Sequence, residues 1–142
     1  VQELPLGHPV RIVDGDYVPE RFYALAKGLE DLPERGLRCQ KCIGHRLEET
    51  FRIALQQPER PDYVCTTLTI SPHKDAVFIN TKGTELAQQY GIAWLPTDFK
   101  KKGGYQRSIV LSREYDLYRQ NFCGCVYSRL EAERREKEMA SS

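Results

Sequence analysis

Apolar residues recur along this chain with two periods, which predict its strands and helices. Alternation in VRIVD, residues 10–14, predicts a short strand. β-Branched and apolar stretches predict a buried strand over DYVCTTLTI, residues 62–70, and a third strand over IAWLP, residues 92–96. Because helical patterns separate these strands, the chain is expected to adopt an α/β fold, with a parallel sheet flanked by helices.

Apolar positions three and four residues apart predict the helices. Pro19 suits the first turn of a helix over residues 19–29, and a long amphipathic helix runs from Cys39 to near Pro58. A third helix is expected to end at Gly91, and a fourth to span about residues 106–115. The charged tail, residues 129–142, has opposite charges at helical spacing, which predicts a solvated helix that frays into the final serines.

Length and charge limit the classes of protein to which this chain can belong. A chain of 142 residues, 40% hydrophobic and 29% charged, predicts one globular α/β domain over residues 1–142. The net charge of +1 means that any nucleic-acid contact depends on local clusters of cations. The apolar runs are too short for a membrane span, so we expect a soluble protein. The amino terminus has neither methionine nor a signal-peptide pattern, which predicts a chain cut from a longer protein.

Four of the five cysteines form two close pairs, which are typical of metal binding or redox chemistry in a reducing compartment. Cys39 and Cys42 are three residues apart, so both sulfurs are expected on one face of the first turn of a helix. The helix dipole, Arg38 and Lys41 predict a lowered pKa for both thiols. Zinc, an iron–sulfur cluster and dithiol redox chemistry all use this spacing, and a pair without any role is the remaining alternative.

Cys123 and Cys125 flank Gly124, which lets the backbone bend toward a shared ligand site or a strained, easily reduced disulfide. The alternative is a structural zinc site made by both cysteine pairs. The fifth cysteine, Cys65, is expected to be a small buried residue within its strand.

Two segments are candidates for contact with RNA. In residues 98–108, DFKKKGGYQRS, cations and an aromatic residue surround two glycines, and such a loop can contact phosphates and stack on a base. The cations are Lys100, Lys101, Lys102 and Arg107, with Tyr105 between them. In SPHK, residues 71–74, Lys74 could bind another phosphate. The alternatives are a solvated surface for the lysines and an ordinary helix start for SPHK, with Ser71 as the N-cap.

Four stretches together resemble the QueH type of epoxyqueuosine reductase: residues 14–36, 38–50, 66–80 and 98–128. The resemblance implies a Rossmann-like or HUP-like α/β fold and a cytoplasmic oxidoreductase that acts on tRNA. Its reaction would reduce epoxyqueuosine at the wobble position to queuosine, with electrons from an unidentified donor. It also implies a 4Fe-4S cluster held partly by Cys39 and Cys42, and a redox-active pair at Cys123 and Cys125.

The chain departs from that family at its amino terminus. The family pattern begins with a strand, helix and strand that carry further cysteines for the cluster, and this part is absent from the sequence. We therefore expect the remaining cluster ligands to lie in a missing amino-terminal region; the alternative is that this member uses other ligands.

Reduction of an epoxide also needs a proton donor. Asp98, beside Lys100, is a candidate for that role or for a ligand of an additional iron. The rival function is a non-catalytic RNA-binding module with a structural zinc site made by four cysteines.

Overall fold

A computed structural model describes residues 7–120 and 122–141. Within them, five α-helices accompany two short strands and two 3₁₀ turns. The helices are α1 (Pro19–Ala26), α2 (Leu37–Gln56), α3 (Ala76–Tyr90), α4 (Gly104–Glu114) and α5 (Val126–Ser141). The strands are β1 (Tyr63–Val64) and β2 (Ala93–Trp94), and the 3₁₀ turns span Leu68–Ile70 and Lys101–Gly103. The mixed α/β class predicted from the sequence is confirmed.

The two strands pair in parallel, with Tyr63 opposite Ala93 and Val64 opposite Trp94. Helix α3 lies between them in the chain, which gives the strand–helix–strand order expected for parallel pairing. Asp75 caps α3 by accepting a hydrogen bond from the Phe78 N–H at 3.1 Å. Gly91 ends α3 in the left-handed conformation, at φ 72°.

The hydrophobic core lies between α2, α3 and the two strands. Helix α2 contributes Ile43, Leu47, Phe51 and Ala54, whose three- and four-residue spacing places them on one face. The core residues from the rest of the chain are Val64, Ile79, Leu86, Ile92 and Trp94. The start of α2 is also buried, since Arg38 and Cys39 are 2% and 6% exposed.

Two sequence predictions about strands need correction. Residues 10–14 do not form a strand, and Val10, Ile12 and Val13 are about half exposed. The strand predicted over residues 62–70 ends at Val64, because Thr66 Oγ1 accepts the Leu68 N–H at 3.2 Å and turns the chain into a 3₁₀ turn. Cys65, which follows β1, is exposed instead of buried.

The predicted helices are present, with shifted ends. SPHK does not open α3, because Ser71 Oγ accepts the His73 N–H at 3.2 Å within a turn that precedes the helix. The charged tail is helical to Ser141, so the predicted fraying does not reach that residue; Ser142 lies outside the described residues. Among the described residues, no helix has the length and apolar character needed to cross a membrane.

Candidate active site

The two cysteine pairs, distant in sequence, line one cavity of about 50 Å³. Cys39 and Cys42 lie in the first two turns of α2, and Cys123 and Cys125 lie in the segment that leads into α5. None of the four is in a disulfide. The other described residues that line this cavity are Phe22, Arg38, Ile43, Arg46, Leu68 and Lys74.

Ser128 holds the segment around Cys123 and Cys125 in place. Its hydroxyl oxygen accepts the Cys123 N–H at 2.9 Å, and the hydroxyl donates to the Cys125 carbonyl at 3.3 Å. Its own N–H donates to Cys125 Sγ at 3.3 Å. Gly124 has a φ of 106°, which L side chains rarely adopt, so glycine suits the tight turn between the thiols. Ser128 is buried, and the sequence analysis missed it. Its position three residues after Cys125, at the start of a helix, was the available signal.

Lys74 belongs to this cysteine site. Its ammonium Nζ lies 3.1 Å from Cys123 Sγ and 3.0 Å from Glu34 Oε1, and its side chain is only 7% exposed. Burial alone would lower the pKa of Lys74, but the hydrogen bonds and charges of Cys123 and Glu34 outweigh it and raise the pKa. Lys74 therefore stays cationic, with little exposed surface for the predicted phosphate contact.

The predicted lowering of the Cys42 pKa is wrong. Burial of the thiol raises its pKa, the positive charge of Arg46 opposes this in part, and the neighbouring cysteines Cys123, Cys125 and Cys39 raise it further. The expected effect of the helix start is therefore outweighed by desolvation. Cys42 is a protonated thiol at neutral pH unless a metal or another cation stabilises its thiolate.

Arg38 adds a second buried cation to the cavity wall. Its Nη1 donates to the carbonyls of Leu29, Glu30 and Leu32, at 3.3, 2.9 and 2.6 Å. Its Nε and Nη2 are buried and have no hydrogen-bond partner among the described residues. Arg38 also lies over the Tyr127 ring, 5.3 Å from the ring centroid.

These features suit an anionic, thiolate-bound iron–sulfur cluster, which needs sulfur donors and nearby positive charge. Cys39 and Cys42 offer two donors on one helix face. However, residues 7–120 and 122–141 contain no group of three or more histidine, cysteine or acidic side chains that could hold a metal ion. The pair on α2 therefore fits as part of a ligand set, and the described residues do not form the complete four-cysteine zinc site.

Asp98 is ion-paired with two of the lysines that follow it. Asp98 Oδ1 lies 3.2 Å from Lys100 Nζ, and its Oδ2 lies 3.8 Å from Lys101 Nζ. Lys100 also donates to the Thr69 carbonyl at 3.2 Å, so it is partly engaged within the fold. The described residues that line the cysteine cavity do not include Asp98.

The exposed cations of the loop are Lys101, Lys102 and Arg107. Lys101 has a side-chain exposure of 77%. Lys102 adopts a left-handed backbone conformation, at φ 54°. These side chains are free of the burial that limits Lys74, and they lie at the start of α4.

A larger cavity, of about 600 Å³, also has Cys123 and Lys74 in its lining. Its lining includes three aromatic residues, Tyr105, Tyr118 and Phe122, among mostly polar ones. The guanidinium of Arg119, also in its wall, lies 5.8 Å from the centroid of the Tyr105 ring. The fold therefore brings a predicted RNA-contacting residue, Tyr105, to the same cavity as a predicted redox cysteine.

Comparison with known proteins identifies the relatives of this chain. The family model described as "Epoxyqueuosine reductase QueH" matches residues 1–131. The chain is 43% identical over 122 residues to the Streptococcus pyogenes serotype M1 protein of that name, which covers 86% of this chain and 47% of the relative. It is 40% identical over 124 residues to the Staphylococcus epidermidis protein, with coverages of 86% and 51%. For the Thermotoga maritima protein the identity is 39% over 126 residues, and the coverages are 87% and 64%.

The chain thus spans about half the length of the first two of these relatives. The match nevertheless includes both cysteine pairs, the cation loop and most of the helices, since it extends over residues 1–131. The chain belongs to the QueH family of epoxyqueuosine reductases.

Proposed function

We propose that this chain is part of a cytoplasmic enzyme that reduces epoxyqueuosine in tRNA to queuosine. The proposal rests on the family and on one observation above all: Cys39, Cys42, Cys123 and Cys125 line a single cavity. An epoxide is reduced when it takes up two electrons and two protons, which gives an alkene and water. A dithiol supplies two electrons and two protons when it becomes a disulfide, so Cys123 and Cys125 are the proposed redox pair.

The pair must be reduced again after each turnover, which requires an external electron donor. Cys39 and Cys42 are proposed to supply two ligands of a 4Fe-4S cluster, and the remaining ligands would come from elsewhere in the whole protein. Such a cluster supplies single electrons when bound. Arg38 and Lys74 support this proposal because two buried cations favour negative charge in the cavity.

Substrate contacts are proposed at the larger cavity and the loop beside it. Tyr105, Tyr118 and Phe122 offer faces on which a base turned out of the anticodon could stack. Lys101, Lys102 and Arg107 are exposed and can meet phosphates, with Lys100 as a further candidate. Asp98 stays a predicted proton donor or ligand of an additional iron, although its contacts are with Lys100 and Lys101.

The finer fold assignment is also a proposal. A Rossmann-like or HUP-like sheet, within one α/β domain over residues 1–142, is supported by the parallel pairing of β1 with β2 and by the helix α3 between them.

The redox role is tested by replacing each cysteine of the proposed pair. Cys123→Ser and Cys125→Ser are expected to abolish the formation of queuosine, because neither variant can form the disulfide. Iron content and tRNA affinity should stay near wild type, since the proposed pair does not hold the cluster. Turnover is measured by mass spectrometry of nucleosides from the modified tRNA.

Cys65→Ser is the matched control, because Cys65 is exposed and lies outside the cysteine cavity. Its turnover should equal that of the wild type. If both Cys123→Ser and Cys125→Ser lose iron in parallel with activity, the two residues are metal ligands and the assigned redox role is wrong.

A further inference from the structure

The thiols of Cys123 and Cys125 have different hydrogen-bond donors. Cys123 Sγ receives the ammonium of Lys74 at 3.1 Å, whereas Cys125 Sγ receives the neutral backbone N–H of Ser128 at 3.3 Å. Both cysteines are half-buried. The difference between the two lies in the charge of the donor.

A cationic donor favours a thiolate more strongly than a neutral donor does, because the charge of the ammonium acts on the anion directly. Cys125 directly precedes α5, whose amino terminus carries only roughly half an elementary charge. The Lys74 ammonium contacts Cys123 directly and is shielded from solvent, with Glu34 as its counter-ion.

Glu34 explains how Lys74 is held toward the thiol. The Glu34 carboxylate accepts from Nζ at 3.0 Å, and the Glu34 side chain is only 19% exposed. Lys74 lies in the turn that follows the Leu68–Ile70 3₁₀ segment, where its N–H donates to the Ser71 carbonyl at 3.2 Å. The ammonium is thus fixed from both ends, by its backbone and by its counter-ion.

We infer that Lys74, held by Glu34, is a positioning residue that makes Cys123 the attacking sulfur of the pair and leaves Cys125 as the resolving thiol. This inference deepens the proposed function and rests on it for its catalytic meaning. The asymmetry itself is a property of the resting protein, so it can be measured without turnover.

The test is alkylation of the reduced protein by iodoacetamide at neutral pH, in the absence of oxygen. In this reaction the sulfur forms a bond to the CH₂ carbon of the reagent and iodide leaves, so the rate reports the thiolate. Peptide mass spectrometry gives the rate at each cysteine, and exposed Cys65 serves as the internal reference. In the wild type, Cys123 is expected to react faster than Cys125 and faster than Cys65.

Lys74→Met should slow the alkylation of Cys123 about tenfold or more, because the cationic donor to the sulfur is lost. Lys74→Gln can keep a neutral hydrogen bond to Cys123 but lacks the charge, so the alkylation of Cys123 should be slowed to a similar extent. Lys74→Arg keeps the charge, and should restore most of the rate. Lys82→Met is the matched control, because it removes a partly exposed lysine from α3 and should leave Cys123 unchanged.

The inference is overturned if Cys125 is the faster thiol in the wild type, or if Lys74→Gln reacts at Cys123 as fast as Lys74→Arg and the wild type. Circular dichroism shows whether each variant is folded. If Lys74→Met unfolds, the comparison is made between Lys74→Gln and Lys74→Arg. Failure of the proposed function has a different result, since Cys123→Ser would then form queuosine normally while the alkylation pattern stays as expected.

Discussion

Gly83 shows how one residue fixes the packing of a helix on a strand. A Cβ atom at this position would lie 2.2 Å from Cε2 of Trp94, well inside the van der Waals contact distance. The Trp94 ring is held in turn, because its Nε1 donates to Asn80 Oδ1 at 2.9 Å. Only glycine lets α3 approach β2 this closely. The N-cap of the same helix is Asp75, which directly follows Lys74 in the sequence.

Gly83→Ala is therefore expected to lower the free energy of unfolding by about 1–3 kcal/mol, because the added methyl group must displace the indole. Urea denaturation followed by tryptophan fluorescence measures the effect. Gly44→Ala is the matched control within α2, where the new Cβ would meet only the flexible end of Lys82, at 3.4 Å. Because alanine has a higher helix propensity than glycine, this control should leave the free energy of unfolding unchanged or raise it by up to about 1 kcal/mol. Equal stability of both variants would contradict the packing argument.

Helix α2 combines a structural role and a chemical role along its length. Its later turns bury Leu47, Phe51 and Ala54 in the core, and its first two turns carry Cys39 and Cys42 to the cavity. The core therefore fixes the direction of the two sulfurs. Because burial raises the pKa of Cys42, its thiolate depends on a metal or another cation nearby.

Cys39→Ser or Cys42→Ser is expected to remove most of the bound iron, since each change deletes one of the two donors on this face. Iron and sulfide are measured on the whole protein purified without oxygen, together with the visible absorption that dithionite should bleach. Cys65→Ser should keep both iron and colour.

Full iron in either α2 variant would make the ligand assignment wrong. A colourless protein with bound zinc would instead favour the structural zinc alternative, because zinc has no redox change and no visible absorption.

At the scale of the whole molecule, the net charge of +1 offers little general attraction for RNA. The structure distinguishes the cations that are available from those that are engaged. Lys74 and Lys100 contact groups within the fold, whereas Lys102 and Arg107 are exposed and Lys101, although it lies 3.8 Å from Asp98, has a side-chain exposure of 77%. The proposed tRNA contact therefore depends on the three exposed residues more than on the two engaged ones.

Replacing Lys101, Lys102 and Arg107 with alanine should weaken tRNA binding and flatten its salt dependence. Each lost phosphate contact removes roughly 0.7 to 0.9 from the slope of log K against log salt. Binding of tRNA with epoxyqueuosine is measured by filter binding at several salt concentrations. The control replaces exposed Lys27, Arg134 and Lys137, which changes the net charge equally. The same loss in both triple variants would mean that only the total charge matters.

The sequence alone determined the elements whose signal is local. The amphipathic spacing of Ile43, Leu47 and Phe51 predicted α2, and the spacing of Cys39 and Cys42 predicted a pair at its start, because both follow from the helical repeat. The family was also accessible from the sequence, since its long motifs need no coordinates. The strand predicted over residues 10–14 was wrong, because alternation describes a strand's faces and does not supply a neighbour to pair with.

Only the tertiary structure decided which distant residues meet. Lys74 and Cys123 are 49 positions apart, and no local pattern predicts that an ammonium and a thiol so separated lie 3.1 Å from each other. The pKa of Cys42 is a second example. Its neighbours in the sequence predicted a lowered pKa, but burial raises it. Desolvation and long-range contacts depend on the packing of α2, α3 and α5 together, so a reading along the chain could not weigh them.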